Sequence, residues 1–388
     1  MNDTVKSNKW IGVILVMGLL LSYSGVVFFI DSFSNKLGLT QWVNTQRIMA
    51  KHKKDLLKRI QNNTHFQGID LNSFSSEAQR LVKMGDKRNL SSWVSFRTFT
   101  PNILGKYIKT NDFGIWSDLN LKEMIQKAQS NKKSGIKNII LLGGSTAFGY
   151  GATTSNKTIS GYLNTTLEKD NYEVFNLAQG GYTSFMELFI LGTIGIYFEP
   201  DIVIVLDGPS DTYHLAYQPQ QRQLALGLWS GTEKESNSQF LFNFYYKNLE
   251  AICKLADIPN RKVILALQPI SGFENDSRLD IDRIKNYWAV YPKVREVLKI
   301  VAKNNGAKFI DLSILFKKEK SSKSNFFDES HLSESGQKKV ADALIDSIVS
   351  TSSQLPSIPF ASVSQRESAI ETIVSANYIG SYKTAENF

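Results

Sequence analysis

Cysteine and histidine are scarce in this chain. One cysteine, Cys253, stands among 388 residues, so no internal disulfide can form and cysteine usage leaves the compartment open. Cys253 lies in the apolar-periodic stretch ICKLADI, which predicts a small core residue. The histidines are four: His52, His65, His214 and His331. No His/Cys/Asp cluster has ligand spacing, so neither a metal nor another cofactor is implied. The sequence has no internal repeat and no low-complexity tract. Nor does it carry a nucleic-acid motif, so the net charge of +9 is not read as a nucleic-acid footprint. Hydrophobic residues at 42% and charged residues at 21% fit a globular protein without long disorder.

Charge is absent altogether from residues 11–30, IGVILVMGLLLSYSGVVFFI. About 20 apolar residues is the length of a membrane-spanning helix, and a cleaved signal has a shorter apolar core of about 7–15. With no A-x-A cleavage pattern, the stretch predicts an uncleaved anchor. Lys6, Lys9 and the amino terminus favour a cytoplasmic N-terminus and the bulk of the chain outside the cytoplasm. The basic cluster Arg47, Lys51, Lys53, Lys54, Lys58 and Arg59 pulls the other way, from the edge of the range in which the rule counts. That cluster fits an anionic lipid surface or simply a solvated helix face.

The chain therefore divides into a short tail (1–10), an anchor (11–30), a juxtamembrane helical and mixed region (31–107), a main domain (108–351) and a C-terminal tail (352–388). After the anchor a polar helix-like stretch runs to about residue 85, and WVSFRTFTPNILGKYIKTNDFGIWSD (93–118) then reads as short strands and turns. From about residue 136 the pattern alternates. Strand candidates are 138–144, 172–178, 201–208, 261–269 and 307–313. Helix candidates lie near 158–168, 183–197, 240–257, 282–304 and 334–350. Such alternation predicts an α/β fold, a parallel sheet covered on both faces, with ligands at the carboxyl ends of the strands.

Chemistry-bearing residues fall at those ends. After the first strand comes Gly143-Gly144-Ser145-Thr146. A serine there is either a capping residue on a tight turn or a nucleophile whose own N–H helps hold an anion. The phosphate-loop reading fails because no Gly-Lys-Ser/Thr is present, and G-x-S-x-G fails because Ala147 stands where the second glycine belongs. His214 and His331 are the histidines of the α/β part. His331 follows Asp328 by three residues and precedes a helix that Ser333 can cap. A D-x-x-H turn either caps the helix or anchors one imidazole nitrogen with an acid and leaves the other free to take a serine proton. Asn176 to Gly181 follows the second strand, and Gly208-Pro209-Ser210-Asp211 follows the third.

In that order, GGST, N-x-x-x-x-G, G-x-S-D and D-x-x-H resemble the SGNH/GDSL hydrolase superfamily. The lead-in TNDFGIWSDLN resembles that of membrane-anchored bacterial members. The resemblance spans roughly residues 108–350 and implies a flavodoxin-like three-layer α/β/α sandwich with a central parallel sheet, here preceded by a transmembrane helix. It implies Ser145 as nucleophile, His331 as general base and acid, and Asp328 as the residue orienting His331. It implies an oxyanion hole from the N–H groups of Ser145 and Gly181, with a third arm at position 210. The family has asparagine there and this chain has Ser210. Ser210 donates directly or through water, another residue such as nearby Thr212 substitutes, or the protein is slow or inactive.

Tyr213 and His214 follow the third block and are candidates for the substrate pocket, His214 equally fitting a helix-start residue. The connection 212–239 is rich in aromatic and amide side chains, which suits a carbohydrate surface as well as local packing. The expectation is a single-pass membrane serine esterase acting on an acyl ester, such as an O-acetylated glycan. A polysaccharide O-acyltransferase using the same triad and a catalytically weak binding or assembly protein are the alternatives.

Overall fold

The computed structural model describes residues 69–85, 98–217, 238–256, 261–271, 281–316, 324–326, 328, 330–350 and 368. The expected anchor at 11–30, the basic cluster and most of the C-terminal tail lie outside the described residues. Among the described residues no helix is long and apolar enough to cross a membrane.

The five strand candidates form one parallel sheet. Its strands are β1 (Lys137–Gly143), β2 (Tyr172–Asn176), β3 (Ile202–Asp207), β4 (Lys262–Leu267) and β5 (Lys308–Asp311). The order is β2-β1-β3-β4-β5, the flavodoxin-like order. Ile140 of β1 pairs with Phe175 on one side and Val203 on the other. The order reverses between β1 and β3, which opens a crevice at their carboxyl ends where ligands of such sheets bind.

The strands are runs of Ile, Val and Leu because both faces are covered. Ile140, Leu142, Val203, Val205 and Leu265 share one core with α5 (Ser184–Thr193), α7 (Ser238–Leu255) and α8 (Ile281–Asn304). Ile139, Leu141, Ile204, Leu206 and Ala266 alternate with them and are equally buried. Helix α4 (Ile159–Leu167) contacts β2 and packs on α9 (Glu334–Ser350), each burying one apolar stripe. Cys253 is buried in the first core, as its periodicity predicts. Truncating one such buried leucine to alanine costs about 2–5 kcal/mol.

Helices α2 (Leu121–Lys133) and α6 (Pro209–Tyr217) are among those that had no counterpart in the periodicity. Helix α2 starts in a capping box, Asn120 accepting from the Glu123 N–H and Glu123 accepting from the Asn120 N–H. It buries only Met124, Ala128 and Asn131, too few apolar positions for a clear stripe.

Helix α1 (Leu71–Gly85) and the segment 98–119 are built onto the same unit as the sheet. The segment is turns with one isolated bridge, Leu104 to Lys109, instead of the short strands expected there. Glu77 of α1 reaches into it and accepts the backbone N–H groups of Lys106, Tyr107 and Ile108 at 2.8–2.9 Å. In the lead-in, Asn111 accepts from the N–H groups of Phe113 and Ile115 and donates to the Leu119 carbonyl.

Candidate active site

Strand β1 stops at Gly143, whose φ is +149°. A side chain there would lie 2.6 Å from both the Ala147 Cβ and the Leu206 carbonyl oxygen, so the turn takes only glycine. Gly144 is extended, and Ser145 then opens the short helix α3 (Ser145–Phe148). Its N–H belongs to the first turn, where no intrahelical partner exists. Asn176, at the end of β2, braces this helix by donating to the Ala147 carbonyl at 2.7 Å.

His331 comes from the far end of the domain, 186 residues on, and its Nε2 lies 2.7 Å from Ser145 Oγ. Its Nδ1 lies 2.6 Å from Asp328 Oδ2. The carboxylate accepts at Nδ1, so Nδ1 carries the proton and Nε2 accepts from the serine hydroxyl. Asp328 Oδ1 also accepts the backbone N–H groups of Ser330 at 2.9 Å and His331 at 2.7 Å. Burial pushes the Asp328 carboxyl up, but the His331 charge and these hydrogen bonds outweigh it and hold the group below the usual carboxylate range. The D-x-x-H turn thus closes on itself and supports the ring. Ser333 caps the following helix, accepting from the Gly336 N–H.

Tyr150 packs against the imidazole, with ring centroids 4.8 Å apart and planes at 54°. Burial, helped by the Asp328 charge, pushes its hydroxyl up to about 12, so Tyr150 stays neutral. Nothing in its sequence neighbourhood marked it, because the contact joins positions 150 and 331.

Gly181 has φ +74°, and a side chain built there would meet nothing within 4 Å. The preceding Gly180 is packed against the Phe99 ring, so that a side chain there would run into it. Gln179 ties the loop down, donating its backbone N–H to the Gly143 carbonyl and accepting the Phe99 N–H at 2.8 Å. Ser210 opens α6 after Pro209, and its Oγ lies 3.2 Å from where a side chain on Gly144 would begin. The hydroxyl is therefore beside the nucleophile turn. Thr212, two residues along α6, is fully buried on the opposite side of the helix from Ser210. Tyr213 is half exposed on α6, and the His214 side chain lies outside what is described. Asp211 points into the protein, accepting from the Ser184 N–H and hydroxyl at 2.8 and 2.9 Å. It joins α6 to the start of α5, three residues after Gly181.

A serine hydroxyl on a charged-acid-supported imidazole, at a sheet crevice with backbone donors nearby, is arranged for attack on a carbonyl. Among the described residues no group of His, Cys, Asp and Glu is placed to hold a metal ion.

Residues 141–339 match the GDSL-like Lipase/Acylhydrolase family, a span that begins in β1 and ends in α9. The chain belongs to that family. This GDSL-like acylhydrolase is a serine hydrolase that acts on ester bonds. Helix α1, the 98–119 segment and α2 precede the matched span.

No curated protein matches the sequence. Among solved structures, an acetyl xylan esterase is 19% identical, with 54% of this chain and 99% of that one covered at a TM-score of 0.40. An acetylxylan esterase from Geobacillus stearothermophilus is 16% identical, covering 55% of this chain and 94% of that one at a TM-score of 0.43. A lipase/acylhydrolase from Enterococcus faecalis is 20% identical, with coverages of 55% and 95% and a TM-score of 0.38.

Proposed function

We propose that this acylhydrolase works through Ser145 as nucleophile, His331 as general base and acid, and Asp328 as the group that orients His331. The observation carrying the reading is the continuous chain from Ser145 Oγ through His331 to Asp328, with contacts of 2.7 and 2.6 Å. Ser145 Oγ attacks the ester carbonyl as its proton passes to His331 Nε2. The N–H groups of Ser145 and Gly181 and the Ser210 hydroxyl hold the tetrahedral oxyanion. The C–O bond to the alcohol breaks as His331 returns the proton to the leaving oxygen, which leaves an acyl-serine. Water, deprotonated by His331, then adds to the acyl carbon and releases the acid and free Ser145.

The substrate class we favour is a small acyl ester on a glycan or other cell-surface molecule. It is supported by the aromatic and amide side chains after the third block, of which Tyr213 is half exposed on the helix that carries Ser210. We also assign residues 11–30 as a single-pass anchor with the N-terminus in the cytoplasm and the hydrolase outside, on the strength of their charge-free length.

The test is fluorophosphonate labelling of the full-length chain in detergent, beside Ser145→Ala and His331→Ala, with p-nitrophenyl acetate hydrolysis in parallel. Labelling and turnover lost in both variants are the expected result. A folded wild type that neither labels nor turns over refutes the assignment and moves a binding role to the front. Acetyl transfer to an added oligosaccharide in preference to hydrolysis would make the enzyme a transferase. External protease should remove a C-terminal tag from intact cells, and a protected tag would reverse the orientation.

A further inference from the structure

The loop carrying His331 must be held against the turn carrying Ser145, yet its Asp328 bonds are all internal to the loop. One carbonyl of the loop, that of Ser330, the residue before the histidine, is gripped from outside it by two side chains. Thr146 Oγ1 donates to it at 2.9 Å from the nucleophile turn. Gln268 Nε2 donates to it, also at 2.9 Å, from the end of β4. Both donors are almost fully buried, at 1% and 3% exposure. Gln268 is itself pinned: its N–H donates to the Asp207 carbonyl at 2.8 Å, and its carbonyl accepts the hydroxyl of Tyr291, a fully buried residue of α8. Three separate sequence blocks, GGST, the end of β3 and D-x-x-H, thus meet through one glutamine and one threonine.

We propose that Thr146 and Gln268 are positioning residues that clamp the Ser330 carbonyl and so hold His331 Nε2 at hydrogen-bonding distance from Ser145. This rests on the catalytic reading of Ser145 and His331. The clamp touches no reacting atom. It acts by keeping the imidazole in register, and displacement of a catalytic group by about 1 Å costs on the order of 100-fold. Because two donors share one acceptor, each holds the carbonyl when the other is removed. Their effects are therefore expected to be non-additive.

The test compares Thr146→Val, Thr146→Ser, Gln268→Met and the double variant Thr146→Val/Gln268→Met in the full-length chain. Rates are expressed per fluorophosphonate-titrated site, and melting temperatures are measured alongside. Expected are kcat losses of about 2- to 3-fold in each non-donor single variant and about 100-fold in the double, well beyond the product of the singles, with KM within twofold. Thr146→Ser, which keeps the donor, should match the wild type. A double variant with wild-type kcat per titrated site overturns the proposal, whatever its melting temperature. So does equal loss in Thr146→Ser and Thr146→Val, the comparison that still decides if the double variant does not fold. Activity surviving in Ser145→Ala would instead overturn the catalytic reading beneath it.

Discussion

Two acidic regions of this enzyme receive the same treatment from burial and respond in opposite ways. Asp328 sits in the D-x-x-H turn, takes three N–H donors and faces an imidazole. It is held below the usual carboxylate range although burial pushes it up. Glu187 of α5, Asp207 at the end of β3 and Asp211 of α6 lie behind the Ser210 end of the site, beside Tyr245. Burial pushes all three up. The Asp207 and Asp211 charges push Glu187 further, and the Asp207 charge does the same to Asp211. Neither carboxyl oxygen of Glu187 has a hydrogen-bond partner among the described residues. A buried acid therefore stays charged only where donors and a cationic partner replace water. One region favours the charged form of its acid, and the other disfavours it.

The largest effect that sharpens this contrast is Asp328→Asn. Removing the acid behind a triad histidine costs about 10⁴-fold in kcat, and this variant should show a loss of that order in p-nitrophenyl acetate turnover. Glu187→Gln should stay within about threefold of wild type, since the amide matches a neutral acid and touches no reacting atom. Comparable losses in the two variants would erase the distinction.

Next comes Ser210, where the regions adjoin. Ser210→Ala should lose up to about 100- to 1,000-fold in kcat as an oxyanion donor is removed. Ser210→Asn should preserve or raise the rate, and a clear loss there would assign Ser210 a different task.

Stability against pH separates the regions without any substrate. A carboxyl whose pKa is raised on folding binds more protons folded than unfolded, so its effect on stability worsens as pH rises through the interval between the two values. Wild type and Glu187→Gln should therefore melt alike near pH 4, about where an unfolded glutamate titrates, and the variant should melt higher as pH climbs toward 8. Asp328 works the other way. Its stabilisation is present above the ordinary value of 3.8 and is lost as pH falls through its lowered folded value. Parallel melting curves for wild type and Glu187→Gln across that range would mean that Glu187 is not held neutral.

Smaller still is Ser184→Ala, which removes one of the two donors to Asp211 and should cost about 1 kcal/mol by urea denaturation. The smallest is Asp342→Asn. Its bond to Lys338 joins two half-exposed side chains, and such surface pairs contribute about 0–1 kcal/mol.

Periodicity located all five strands to within a few residues, because a strand buried on both faces must be a run of Ile, Val and Leu. The histidine count narrowed the base to His214 or His331, and the local D-x-x-H spacing favoured the latter. Helix α6 was read as part of a long connection, since Pro209, Ser210 and Asp211 look like a turn when the packing of the helix on α8 and the Asp211 bonds to Ser184 are unknown. Thr146 was visible only as part of a motif. Gln268 and Tyr150 were not singled out at all, nor was the group of Glu187, Asp207 and Asp211. Apart from Asp207 and Asp211, four residues from each other, their partners lie about twenty or more residues away, at separations where sequence spacing carries no distance.

By itself the amino-acid order determined what short-range physics can enforce. Apolar runs became strands, glycine at 143 ended one of them where no side chain fits, and Asp328 lay three residues from the imidazole it holds. Tertiary structure alone decided that Ser145 meets His331 across 186 residues, that Thr146 and Gln268 converge on one carbonyl, and that three acids are buried together. The reason is the sheet order. Placing β1 next to β3 brings chain ends together that no local preference could have paired, and burial then sets which of the gathered groups keep their charge.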